Sequence, residues 1–173
     1  LLFILYTNDI PSCLEHCKTT LFADDTTIYL TGENLTDISQ NVNYDLENLS
    51  DWFKANQLSV NPTKTNYMIF TKSLQSTGTD CKIYLDNVEL EHVNSTKFLG
   101  IHIDKHLTWE KQIEHCKKKV ASGVYALNSC KNFLTTENLK TLYFTLIHPY
   151  LTYGNILWCN TYAKYLHKLE ILQ

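Results

Sequence analysis

Asp24 and Asp25 stand side by side between two short runs, Thr19–Phe22 and Thr26–Leu30, that are rich in β-branched and aromatic residues. Such runs around a brief polar break predict a β-hairpin with two carboxylates at its tip. Adjacent like charges repel, and a divalent cation removes that cost. Magnesium takes hard oxygen ligands, commonly one or two carboxylates with substrate phosphates and water completing the shell. Two such ions, about 3.5–4 Å apart, activate a 3′-hydroxyl and stabilise a departing pyrophosphate. Apolar strands on both sides would hold the turn as rigidly as a metal site needs. Taken alone, the pair is more simply an ordinary turn, in which aspartate is common.

The elements that would carry this turn follow from periodicity. Leu35, Ile38, Val42, Leu46, Leu49 and Phe53 recur at steps of three and four, one apolar stripe on a helix of some twenty residues, with Trp52 beside it. Asn34 or Thr36 would cap its start, and Asn61-Pro62 marks the exit. Strands are expected over Lys64–Phe70, over Ile83–Leu85 and Val88–Leu90 around the turn Asp86-Asn87, and over Phe98–Ile103, which contains Gly100. Beyond Asp104 the pattern turns helical. Trp109, Ile113, Cys116, Val120, Val124 and Leu127 form a second stripe, and Leu139, Leu142, Tyr143, Leu146 and Ile147 a third that ends at Pro149. Leu166, Leu169 and Leu172 suggest a short last helix, and Lys72–Asp80, rich in Ser, Thr and Gly, is the likeliest flexible stretch. The order predicts an α+β fold with an all-helical tail, divided at residues 1–104 and 105–173.

Composition narrows the class. With 173 residues, 44% hydrophobic and 19% charged, the chain is globular rather than disordered, collagenous or coiled-coil. The net charge is −3 and all 15 basic residues are lysines, so a uniformly basic nucleic-acid binder is excluded and any such surface must be local. The opening apolar run, Leu1–Tyr6, is too short to span a bilayer and no basic segment precedes it, so neither a membrane anchor nor a signal peptide is expected. It reads as a chain cut inside a folded element, whose exposed apolar surface would favour aggregation. Six irregularly spaced cysteines fit reduced thiols in a soluble intracellular protein. Cys13, His16 and Cys17 lack a second ligand pair for zinc, and nothing places His102, His106, His115 and Cys116 on one face.

One local basic surface does stand out. Lys111 and Lys118 share a helical face, with Lys117, Lys119 and Lys131 nearby, although Glu110 and Glu114 dilute the charge. Such a face could follow a nucleic-acid backbone, or simply be solvated. Tyr143, Phe144, Tyr150, Tyr153, Trp158, Tyr162 and Tyr165 could stack on bases, but at helical spacing they belong more naturally to a core.

Phe22-Ala23-Asp24-Asp25 between apolar strands resembles the catalytic hairpin of reverse transcriptases, an aromatic, any residue and two aspartates. The small Ala23 resembles the non-LTR retrotransposon branch, and the jockey-type elements within it. Four further segments match in order. Leu1-Leu2-Phe3-Ile4-Leu5-Tyr6-Thr7-Asn8-Asp9-Ile10-Pro11 resembles the stretch after that family's Gly-x-Pro-Gln-Gly-Ser motif. Trp52-Phe53-x-x-Asn56-x-Leu58-x-x-Asn61-x-x-Lys64-Thr65 resembles the next palm motif with its lysine. Lys97-Phe98-Leu99-Gly100-Ile101 resembles the primer-grip turn, and Leu107-Thr108-Trp109 the start of the thumb.

The resemblance implies that residues 1–104 are the C-terminal part of a polymerase palm and 105–173 a thumb-like helical region. It implies that Asp24 and Asp25 bind Mg2+, or Mn2+ in its place, that Phe22 packs near the primer terminus, and that Lys64 protonates the leaving pyrophosphate, a role an ammonium suits because it also neutralises charge. It implies that Phe98, Leu99 and Gly100 position the primer, with Gly100 letting the backbone come close. Lys111 and Lys118 would then face the nucleic acid. The partners would be an RNA template, a DNA primer and deoxynucleoside triphosphates, with no membrane and no protein partner implied. The family's third aspartate, its Gly-x-Pro-Gln-Gly-Ser motif and its fingers have no counterpart among these residues, so the expectation is a fragment that does not polymerise alone. The rival is a non-catalytic nucleic-acid-binding or interaction remnant of a decayed mobile element. A metal-dependent nuclease would want further carboxylates or a histidine near the pair.

Overall fold

The computed structural model describes residues 2–71 and 81–171, so the expected flexible stretch Lys72–Asp80 lies outside the described residues. The chain divides into two compact units, one of Leu1–Tyr67 and Ser73–Val93, the other of Met68–Lys72 and Asn94–Gln173.

The first unit opens with helix α1, Leu2–Thr7, and a single 3-10 turn at Ile10–Cys13. Strands β1, Lys18–Phe22, and β2, Asp25–Tyr29, form an antiparallel hairpin. Helix α2, Leu35–Ala55, follows the expected stripe, and the Asn34 side chain caps it by accepting from the Thr36 amide at 3.0 Å. Leu46 and Leu49 from that stripe are buried against Ile10, Ile83, Leu85 and Leu90, with Leu21 and Ile28 of the hairpin packed alongside. Each such buried side chain contributes about 1.5–3 kcal/mol, so α2 is the beam on which the hairpin rests.

The strands after α2 are shorter than expected. Pro62 seeds a 3-10 turn, Pro62–Lys64, capped by Asn61, so only Asn66–Tyr67 of the expected Lys64–Phe70 strand pairs as a strand; this is β3. Strands β4, Tyr84–Leu85, and β5, Val88–Glu89, make the expected tight hairpin, with Asp86 and Asn87 both at positive φ as a two-residue turn requires. Ser50 donates to the Asp86 carboxylate and Lys54 pairs with it at 2.7 Å, which fastens this turn to α2. Strand β6, Glu91–His92, pairs in parallel with β3.

The second unit begins with β7, Ser95–Phe98, and β8, Ile101–Asp104, an antiparallel hairpin. The single strand expected over Phe98–Ile103 is therefore broken. Leu99 and Gly100, at φ 45° and 85°, form a left-handed two-residue turn between the strands. Helices α3, Glu110–Cys130, α4, Thr136–Leu146, α5, His148–Thr152, α6, Asn155–Trp158, and α7, Ala163–Glu170, complete the unit. The second stripe buries Ile113, Cys116 and Val120, and Trp158 and Leu169 pack with the first two. Pro149 ends the third stripe by opening α5 rather than by closing the helical region. Helices with small two-stranded ladders, all but one antiparallel, make the α+β class hold among the described residues. No described helix is long and apolar enough to cross a membrane.

Candidate functional site

The β1–β2 register explains what the hairpin presents. Phe22 pairs with Asp25, which leaves Ala23 and Asp24 as a two-residue turn. Asp25 therefore opens β2 instead of sharing the turn, and only Asp24 sits at the tip proper. Ala23 is at φ 52°, a conformation costly for a branched residue and cheapest, after glycine and asparagine, for a small one. Alternation along the strands turns Lys18, Thr20, Phe22, Asp25 and Tyr29 outward, while Thr19, Leu21 and Ile28 lean on the core. Phe22 and Asp25 thus share the open face, and Phe22 is 58% exposed.

Asp24 and Asp25 supply hard oxygen donors that suit a magnesium or manganese ion. Among the described residues no group of three or more His, Cys, Asp or Glu gathers to form an all-protein cage. Two carboxylates as donors suit an ion whose shell phosphate and water would complete, which is magnesium's usual habit.

The hairpin is held from its root by a residue that the stripe gave no reason to single out. Asp45 on α2 is fully buried and accepts from the amides of Glu15, His16 and Cys17 at 3.0, 2.9 and 2.6 Å. The chain enters β1 at the very next residue, Lys18. Burial alone would raise the Asp45 carboxyl, but the three amides outweigh it and hold it below the usual carboxylate range. The only sequence signal was an acidic residue inside the apolar-sided half of an amphipathic helix. Burial and the Asp45 carboxylate push the Cys17 thiol up to about 12, so it is an inert, protonated neighbour.

Lys64 ends the Pro62–Lys64 turn, exposed, on no strand. None of the ion pairs among the described residues joins it to Asp24 or Asp25.

The second turn, Leu99-Gly100, is fastened from outside. The Tyr153 hydroxyl donates to the Leu99 carbonyl at 2.6 Å, and the Tyr153 ring lies where a Cβ on Gly100 would come within 3.3 Å. Gly154, at φ 61°, lets the same segment press on Ile101: a Cβ there would stand 2.3 Å from the Ile101 Cδ1. The buried Gln112 of α3 accepts from the His102 amide at 2.9 Å and ties β8 to the helix. Asp104 arranges the exit. Its carboxylate accepts from the His106, Thr108 and Trp109 amides at 3.1, 3.0 and 2.9 Å, and Trp109, at φ 61°, precedes α3 with no side-chain cap of its own. Phe98 and Leu99 are half-buried and Gly100 exposed.

Lys111 and Lys118 are both exposed on α3, as the helical face predicts. They differ in that the Lys111 ammonium donates to the Ser95 hydroxyl of β7. The histidines left unplaced by the sequence separate: His102 and His115 meet with ring centroids 5.0 Å apart, while His106 lies exposed in the turn arranged by Asp104.

Comparison with known proteins bears on these features. A family model described as reverse transcriptase (RNA-dependent DNA polymerase) matches residues 1–103. The chain is 24% identical over 98% of its length to a probable RNA-directed DNA polymerase from transposon X-element of Drosophila melanogaster. It is 26% identical over its whole length to the probable RNA-directed DNA polymerase from transposon BS of the same species. It is 21% identical over 99% of its length to the RNA-directed DNA polymerase from mobile element jockey of Drosophila funebris. In each case it spans 20% of the relative's length. No solved structure matches.

Proposed function

The chain belongs to the reverse transcriptase family, and from that premise we propose that it supplies the C-terminal part of a palm, residues 1–104, and a thumb-like region, residues 105–173, to an RNA-directed DNA polymerase of a non-LTR retrotransposon. Its reaction class is nucleotidyl transfer from a deoxynucleoside triphosphate to a DNA primer on an RNA template. The observation that carries this reading is the hairpin register, which puts Phe22 and Asp25 on one exposed face with Asp24 in the turn between the strands.

Asp24 and Asp25 hold the divalent ion, magnesium or manganese, with Asp24 the firmer ligand. When bound, such an ion lowers the charge of the triphosphate and assists both the attacking and leaving oxygens. Phe22 offers an apolar face beside the carboxylates on which the primer terminus rests. Lys64, on its exposed turn, neutralises and protonates the departing pyrophosphate. Phe98, Leu99 and Gly100 guide the primer strand, and the bare backbone of Gly100 allows its approach. Lys111 and Lys118 attract the duplex backbone through counterion release. Two carboxylates without a third bind metal weakly, so the 173 residues by themselves bind metal without sustained polymerisation.

The test is primer extension in two settings. Exchanged for the matching fifth of a jockey-type polymerase, the chain should support extension, and Asp24→Ala in that chimera should lower it by at least about a hundredfold. A chimera as active with Asp24→Ala as without it would contradict the metal assignment. Sustained extension by the 173 residues alone, abolished by Asp24→Ala, would contradict their assignment to one share of a larger site.

A further inference from the structure

We propose that a cavity of about 450 Å3 beside the β7–β8 turn of the second unit is a binding site for a phosphate group. Lys97 enters its lining from β7, His115 and Lys119 from α3, Thr145 from α4 and Tyr150 from α5. No aspartate or glutamate lines it. The Lys119 ammonium sits over the Tyr150 ring, 5.8 Å from its centroid. His115 is packed between His102, at 5.0 Å, and Tyr150, at 6.4 Å. Two lysines, an imidazole and the Tyr150 hydroxyl thus line one space with no carboxylate to offset them, while the Thr145 hydroxyl at its wall donates to the Thr141 carbonyl at 2.8 Å. A phosphate supplies the missing acceptors and the missing charge.

The electrostatics agree with the geometry. Burial first, then Lys97 and Lys111, hold His102 below its ordinary range. Burial first, then His102, Lys119, Lys97 and Lys118, do the same for His115. The lysines that act on the two rings come from the hairpin on one side and from α3 on the other, where Glu114 adjoins His115. Both imidazoles are therefore biased toward the neutral form, and a bound anion would raise them. By linkage, a phosphodiester, whose charge is constant near neutrality, must then bind more tightly as pH falls.

This site does not depend on the metal assignment to Asp24 and Asp25. The phosphate has two sources, the backbone of a nucleic-acid strand and a free phosphate ion, and the experiment separates them. The imidazole Cε1–H resonances of the whole chain are followed by NMR while inorganic phosphate replaces chloride at constant ionic strength and pH. The expected result is a saturable shift of His102 and His115, with His16, His92 and His106 as internal controls. Lys97→Gln with Lys119→Gln should weaken the response about tenfold or more. Lys97→Arg with Lys119→Arg should restore it, which separates charge from folding. A short RNA–DNA duplex that moves the same two resonances, and is displaced by phosphate, identifies the backbone as the source. A response to phosphate with none to duplex identifies the free ion. The proposal is overturned if His102 and His115 move no more than the controls, or if the glutamine variant responds as the parent does.

Discussion

Each unit contains a hairpin closed by a two-residue turn whose first residue is left-handed, and the two are held differently. The β1–β2 hairpin is gripped at its root, where Asp45 collects three amides just before β1, and its tip with Asp24 stands free. The β7–β8 hairpin is tied to α3 through His102 and Ser95 and is gripped at its tip as well, where Tyr153 bonds Leu99 and sets its ring beside the exposed Gly100. The difference suits the two roles proposed. A carboxylate turn that receives metal and triphosphate has to stay open, so its rigidity must come from behind. A turn that only guides a strand with its backbone can be braced from outside.

This contrast can be broken by substitution. Asp45→Ala should have the largest effect, because it removes a buried carboxylate from three amides, that of Cys17 fully buried: a loss of about 3 kcal/mol or more in urea unfolding. Asp24→Ala, at the free end of the same hairpin, should leave stability within about 0.5 kcal/mol. Equal losses for the two would mean that the root is not where this hairpin is held.

Acid sharpens the same point. The folded-state carboxyls of Asp45 and Asp104 are depressed, so their contribution is fully present above the unfolded value, about 3.9, and is lost as pH falls through the lower folded values. Unfolding followed from pH 5 downward should show stability dropping in that window, and Asp45→Asn should flatten the drop.

At the second turn the effects are smaller. Gly100→Ala forces a side chain to φ 85° and toward the Tyr153 ring, and should cost about 1–2 kcal/mol. Tyr153→Phe removes one hydroxyl bond and should cost about 1 kcal/mol. Faster hydrogen exchange confined to residues near Leu99 would show that the bond braces the turn, and unchanged exchange there would show that it does not.

The unequal legibility of the two hairpins has a physical cause. Around Asp24 and Asp25 each strand carries its own alternation and the break is polar, so the hairpin, and α2 behind it, could be read from periodicity. Around Leu99 the apolar run continues through the turn, and a leucine at φ 45° carries no mark of its conformation. The resemblance of Lys97–Ile101 to a known turn supplied what the pattern hid. Asp45 and Tyr153 stayed invisible for another reason: their partners lie 28–30 and 54 residues away, and only the folded chain brings them together. Lys64 was expected on a strand, but Pro62 and the Asn61 cap hold that segment in a 3-10 turn, a local preference stronger than the apolar run after it.

The proposed metal role of the free tip is open to a direct test. Manganese titrated into the isotope-labelled chain should broaden the amide resonances around Phe22–Thr26 first, at millimolar concentration. Asp24→Asn with Asp25→Asn should abolish that broadening while the rest of the spectrum stays unchanged. Broadening centred elsewhere, or persisting at the tip without the two carboxylates, would show that this hairpin is not a metal-binding turn.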